Sequence, residues 1–238
     1  QLLGIEGRRV TLDGVPDRCI SWLERLPERP DEPDIGLLMA EAWARIALYD
    51  LVRGAELIEQ VRELSTGAKD VGTALELCLA DAFRYAMMDD FVTAFEVVKS
   101  GFSIQQGPES PFIHAGYSNF SAWHSISVGR FEEGRSELYR AARYGPEAQG
   151  HLAWVYGTLG IAKAFTLEGD MTAADAEYRR IVSVAEGRRG YASAVAASAV
   201  GPWLDVLYEM NRIDELQSLV IGRLDLGFPA CLPRGLAS

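Results

Sequence analysis

Residues 129–146, GRFEEGRSELYRAARYGP, read as the second helix of a helical hairpin with both ends marked. Gly129 suits a tight turn, because a residue without a Cβ reaches positive φ at no steric cost. Phe131 is placed to plug the hairpin, Gly134 and Ala141 to leave room for a neighbouring helix, and Leu138 to fill the gap between them. Pro146, which has no N–H, ends the unit. The frame returns at 169–182, GDMTAADAEYRRIV: Gly169 turns, Met171 plugs, Ala174 is the small contact, and Tyr178 and Ile181 pack. Fainter copies follow. DDFVTAFEVVKSG (89–101) places Ala94 and Val98, RGAELIEQVREL (53–64) places Ala55, and NRIDELQSLVIGRL (211–224) places Leu216 and Val220. The small-contact positions 55, 94, 134, 174 and 216 are spaced by 39, 40, 40 and 42 residues.

A small residue, an aromatic plug and a closing Pro make up most of the tetratricopeptide signature, with Gly in an Ala place and a period longer than the usual ~34 residues. The predicted fold class is therefore all-α: a right-handed superhelix of tetratricopeptide-like helical hairpins, an α-solenoid of about a dozen helices. Hairpin turns are expected near Asp50, Asp89, Gly129, Gly169 and Asn211. Each unit of such an array contacts only its neighbours, so no linker is needed and residues 1–238 read as a single domain.

Along the chain, the stretch Gln1–Gly14, with three glycines, reads as a frayed edge of the array. A helix after Pro16 puts Cys19, Ile20, Leu23 and Leu26 on one face until PERPDEP breaks it. Helices are expected to Asp50, over 73–87 and 91–100, from Phe112, and over 151–168 and 171–186. Gly201-Pro202 should kink or interrupt the helix that holds it.

About half of the 238 residues are apolar and the net charge is -11. With no basic cluster, direct nucleic-acid contact by this segment is disfavoured, since Lys and Arg supply phosphate affinity. No apolar run approaches the ~18 residues that span a bilayer, so no membrane partner is expected. Cys19, Cys78 and Cys231 are odd in number and far apart, which fits a reducing cytoplasm better than a disulfide framework. The start at Gln1 and the GLAS end lead us to expect a middle piece of a larger protein, because solenoids carry polar caps.

Catalytic constellations are weak. His114, His124 and His151 lack the i, i+4 pairing of a helical metal site. Asp89-Asp90 and Glu132-Glu133 start second helices, where acids cap free N–H groups. No Ser or Cys occupies a strained Gly-x-Ser-x-Gly setting. Trp22, Trp43, Trp154 and Trp203 sit in apolar helical patterns and read as packing. We expect no enzyme, no metal and no catalytic residue.

WLERLPERPDEPDIGLLMAEAWA (22–44) resembles the Trp-Leu-x-x-Leu-Pro segment, followed by a Trp-bearing apolar helix, of LuxR-type ATP-dependent transcriptional activators of the MalT-like family. SNFSAWHSISVGRFEEG (118–134), GTLGIAKAFTLEGDMTAADAEYRRIVSVAE (157–186) and VLYEMNRIDELQSLV (206–220) are similar to successive helical repeats of the same regulators. The resemblance implies a cytoplasmic, superhelical sensor region between an ATP-binding module and a helix-turn-helix. It also implies that ATP and inducer drive self-association. This chain has neither a G-x-x-x-x-G-K-[ST] loop nor a helix-turn-helix after its repeats. ATP and DNA binding thus fall to flanking modules, with no cofactor in this fragment. Its expected partner is a small-molecule inducer or regulatory protein. The competing reading is a generic tetratricopeptide-like adaptor for protein segments, against which the few groove cations (Arg45, Arg84, Lys163) weigh.

In a hairpin superhelix the first helices line the groove. If Ala82, Ala122 and Ala162 face their partner helices, the next residues, Phe83, Trp123 and Lys163, point about 100° away. Leu79, Asn119 and Leu159 lie one turn earlier, and Tyr156 a further turn back. Phe83, Asn119, Trp123, Tyr156 and Lys163 are therefore the candidate ligand-binding residues, a mixture suited to a sugar or organic acid. The alternative is that Phe83 and Trp123 only fill a tightly wound array.

Overall fold

The computed structural model describes residues 2–26, 33–66, 70–88, 90–102, 110–142, 150–189 and 194–221. Among these residues the chain is all-helical, with no strand. The helices are α1 (Leu2–Leu12), α2 (Pro16–Glu24), α3 (Ile35–Ala47), α4 (Leu51–Leu64), α5 (Val71–Met87), α6 (Phe91–Phe102), α7 (Pro111–Ser127), α8 (Phe131–Ala142), α9 (His151–Glu168), α10 (Met171–Arg189), α11 (Ala194–Glu209) and α12 (Ile213–Val220). Asp89, most of PERPDEP, Pro146, Cys231 and the side chain of His151 lie outside the described residues.

One turn geometry is used again and again. The backbone N–H of Asp50, Asp90, Arg130, Asp170 and Arg212 donates to the carbonyl five residues back, on Arg45, Tyr85, Ser125, Phe165 and Leu207, at 2.8–3.0 Å. This is the 6→1 bond that closes a helix through a left-handed residue. That residue is Tyr49 (φ 62°), Gly129 (81°), Gly169 (83°) and Asn211 (56°) in four of the turns. The residue receiving the turn then starts the next helix. The Asp50, Asp90 and Asp170 carboxylates accept from the N–H groups of Arg53, Thr93 and Ala173, satisfying donors that the helix itself leaves open. Capping thus accounts for Asp90 as the sequence suggested.

Four of the second helices, α4, α6, α8 and α10, share one packing register; α12 does not, for it has no buried residue and Leu216, expected as its small contact, is only half-buried. Burial runs in the same order, residue for residue, along 91–100 and 171–180, and Gly54, Ala94, Gly134 and Ala174 are all buried. This shifts the first repeat by one residue: Gly54, not Ala55, is the small contact, and Ala55 is only half-buried. The reason is close approach. A Cβ on Gly54 would lie 2.6 Å from Ile46 Cγ1, and one on Gly134 2.7 Å from Ile126 Cγ1. With Gly54 in place the spacing becomes an even 40 residues across four hairpins.

The chain falls into two compact units, Gln1–Ile113 and His114–Ser238. In the first, each helix packs on the next, and α1 also touches α3 and α3 touches α5. Cys19, Ile20 and Leu23 of α2 bury against Ala40 and Ala44 of α3. In the second, α8 through α12 pack in sequence and α9 also touches α11. Its core joins Leu159 and Ala162 to Ala174, Tyr178 and Ile181, and these to Ala199, Trp203 and Leu207. Phe131 and Leu138 pack with Ala122, Ile126, Ile161 and Ala164, as the hairpin reading of 129–146 requires.

One expectation needs correction and a second narrows. The Gln1–Gly14 stretch is not frayed: Leu2–Leu12 forms α1, whose Gly4 lies against the Gly36 backbone and whose Gly7 lies against Cys19 and Ala40. Its glycines serve close helix contact. Of the two outcomes expected at Gly201-Pro202, a kink or an interruption, the interruption does not occur, since α11 runs unbroken across Pro202.

Candidate functional site

The candidate residues all come from first helices. Ala82, Ala122 and Ala162 are fully buried, while Phe83, Trp123 and Lys163, each one residue further on, are half-buried. Leu79 and Leu159, one turn earlier, are covered by their neighbours. The candidates divide between the two units, Phe83 in the first and the other four in the second.

In the first unit, Phe83 belongs to an aromatic cluster centred on Trp43. The Trp43 and Phe83 rings lie 5.8 Å apart, tilted by 38°, and Phe112 meets Trp43 edge-on at 5.6 Å. Beneath them sits Glu76, only 8% exposed. Its Oε1 accepts from Trp43 Nε1 at 3.1 Å and its Oε2 from Arg8 Nη1. The Arg8 guanidinium lies 6.0 Å from the Phe112 ring centre. A buried carboxylate needs such donors, because desolvating it unpaired is costly.

In the sequence Trp43 reads as packing and Phe112 only as a helix start, and neither Arg8 nor Glu76 is among the candidate site residues. One signal was available: Glu76 interrupts the apolar run LELCLADAF, where a charge demands a partner. The identity of that partner, 68 residues away, follows from α1 packing on α3.

In the second unit, Asn119 is 7% exposed and its Nδ2 donates to the Ala153 carbonyl at 2.8 Å. Its Oδ1 is buried without a hydrogen-bond partner. A Cβ on Gly157 would come within 2.7 Å of that oxygen, and one on Gly160 within 3.2 Å of the Trp123 ring. These two glycines let α9 approach α7. Trp123 and Tyr156 pack on the α9–α11 core from its edge. Lys163 is half-buried; burial lowers its pKa, opposed by the Asp205 carboxylate. Asn119, Trp123, Tyr156 and Lys163 are thus in one unit, with Phe83 in the other.

A cleft of about 550 Å³ lies elsewhere in the second unit, between α10, α11 and α12, over Trp203. Its cation, Arg179, is already paired with Asp175 and Glu215. Among the described residues no three His, Cys, Asp or Glu side chains gather as a metal site, and no helix is long and apolar enough to cross a membrane.

No protein-family model matches the chain, and neither does any curated protein or solved structure.

Proposed function

We propose that this chain is the signal-sensing and self-association domain of a LuxR/MalT-like transcription regulator, working by binding and not by catalysis. Its hairpins wind into a right-handed superhelix whose first helices face a small-molecule inducer. The observation that supports the reading best is the repeated hairpin: one turn geometry, one packing register and first helices that keep aromatic and polar side chains half-exposed. Repeats that stack through small residues present a long surface without needing an acid/base pair or a cofactor of their own. The net charge of -11 favours a segment that leaves DNA contact to another module. ATP is bound in this reading by a preceding module.

A reporter assay in cells carrying the whole regulator tests it. Trp123→Ala, Asn119→Ala and Lys163→Ala, checked for normal folding, should include at least one variant with a weakened inducer response. A normal response in all three would remove the sensing role from the second unit's first helices.

A further inference from the structure

We infer that Arg8, Glu76 and the Trp43–Phe83–Phe112 cluster bind a small carboxylate carried on a flat apolar body. The inference rests on the sensor reading and names the ligand class for the first unit.

Arg8 is the deciding residue. A guanidinium has five N–H donors in a rigid fork. Only Nη1 has a protein acceptor, Glu76 Oε2, which leaves the Nε–Nη2 edge available among the described residues. The Arg8 side chain is 36% exposed and that of Glu76 11%, so the guanidinium is the reachable half of the pair. Two parallel N–H groups match the two oxygens of a carboxylate, a fit that a lone ammonium lacks.

Glu76 fixes the fork instead of competing for it. Both of its oxygens are engaged, one by Trp43 Nε1 and one by Arg8, so it cannot swing to the open edge without losing a buried bond. Because the Arg8–Glu76 pair is neutral, long-range attraction for an anion is small. The apolar body must supply the rest. Phe83 and Phe112 are half-buried and flank Trp43, giving a planar group aromatic surface beside the fork. Acetate, which carries the charge alone, and benzamide, which carries the ring alone, should both bind poorly.

The test is an NMR titration of the ¹⁵N-labelled chain, following its five tryptophan indole signals, with Trp43→Phe identifying that of Trp43. Benzoate should shift the Trp43 signal saturably, and benzamide and acetate should bind at least tenfold more weakly. Arg8→Gln should weaken benzoate at least tenfold. Arg8→Lys, which keeps the charge beside Glu76 and so protects the fold, should do the same through loss of the fork. Benzamide binding as tightly as benzoate, unchanged benzoate binding in Arg8→Lys, or no response at Trp43 would each overturn the inference. None of these results bears on whether the chain is a regulator's sensor, which the reporter assay decides separately.

Discussion

Gly134 shows how little space separates the two helices of a hairpin. A methyl there would sit 2.7 Å from Ile126 Cγ1 and 2.9 Å from the Ala122 carbonyl, and the carbonyl belongs to a helix that cannot yield cheaply. Gly134→Ala should therefore destabilise the chain by about 1–3 kcal/mol in urea melts, despite the better helix propensity of Ala. Gly187→Ala is the matching control: nothing lies within 4 Å of a Cβ there, and the substitution should stabilise by about 0.5–1 kcal/mol. If both variants shifted the melt in the same direction, close helix contact would not be what keeps Gly134 a glycine. At this scale Gly134, Ala94 and Ala174 were legible because they recur in sequence; Gly54 was not, because Ala55 beside it is equally small. Only the position of Ile46 distinguishes them.

At the scale of the element, the turn after α7 lacks the carboxylate cap that three of its siblings carry. Asp50, Asp90 and Asp170 cap their helices, but the third hairpin has Arg130 in the corresponding place. Arg130→Asn should supply the missing acceptor and stabilise by about 0.5–1 kcal/mol, while Asp170→Ala should cost about 1 kcal/mol. Thermal melts read both, and a destabilising Arg130→Asn would mean that the caps are not interchangeable. The last hairpin is tied differently. Asp175 on α10 accepts from Trp203 Nε1 on α11 at 2.8 Å and from Arg212 Nη1 at 2.7 Å. Burial raises its pKa, but the hydrogen bonds from Trp203 and Arg212 and the charges of Arg179 and Arg212 outweigh that, and the net shift is downward. A carboxylate with a depressed folded pKa contributes stability above its unfolded pKa, about 3.9, and loses it as pH falls through the folded value. Asp175→Asn should lose about 1–2 kcal/mol at pH 7 and little once the pH lies below the depressed folded value, flattening the acid limb of the stability curve. Equal losses at both pH values would contradict the charge pairing. Neither Arg212 nor Trp203 advertises this role in sequence, since Trp203 read as packing and the contact spans 28 residues or more.

For the whole molecule, periodicity carried the all-helical reading, whereas the candidate sites depend on which helices meet. Glu76 is intelligible only once α1 delivers Arg8 to it, and α1 itself was misread because its glycines resemble a loop's. A superhelix of stacked hairpins should have a radius of gyration clearly above the ~18 Å of a compact 238-residue domain, measurable by small-angle X-ray scattering. A value near ~18 Å would argue for a closed helical globule. The sensor reading itself makes a sharper commitment, because it assigns ATP and DNA binding to modules outside these residues. Sequencing the coding DNA on both sides of this segment tests it most directly. The account predicts a G-x-x-x-x-G-K-[ST] loop in the same reading frame upstream and a helix-turn-helix downstream; an open reading frame with neither would contradict it.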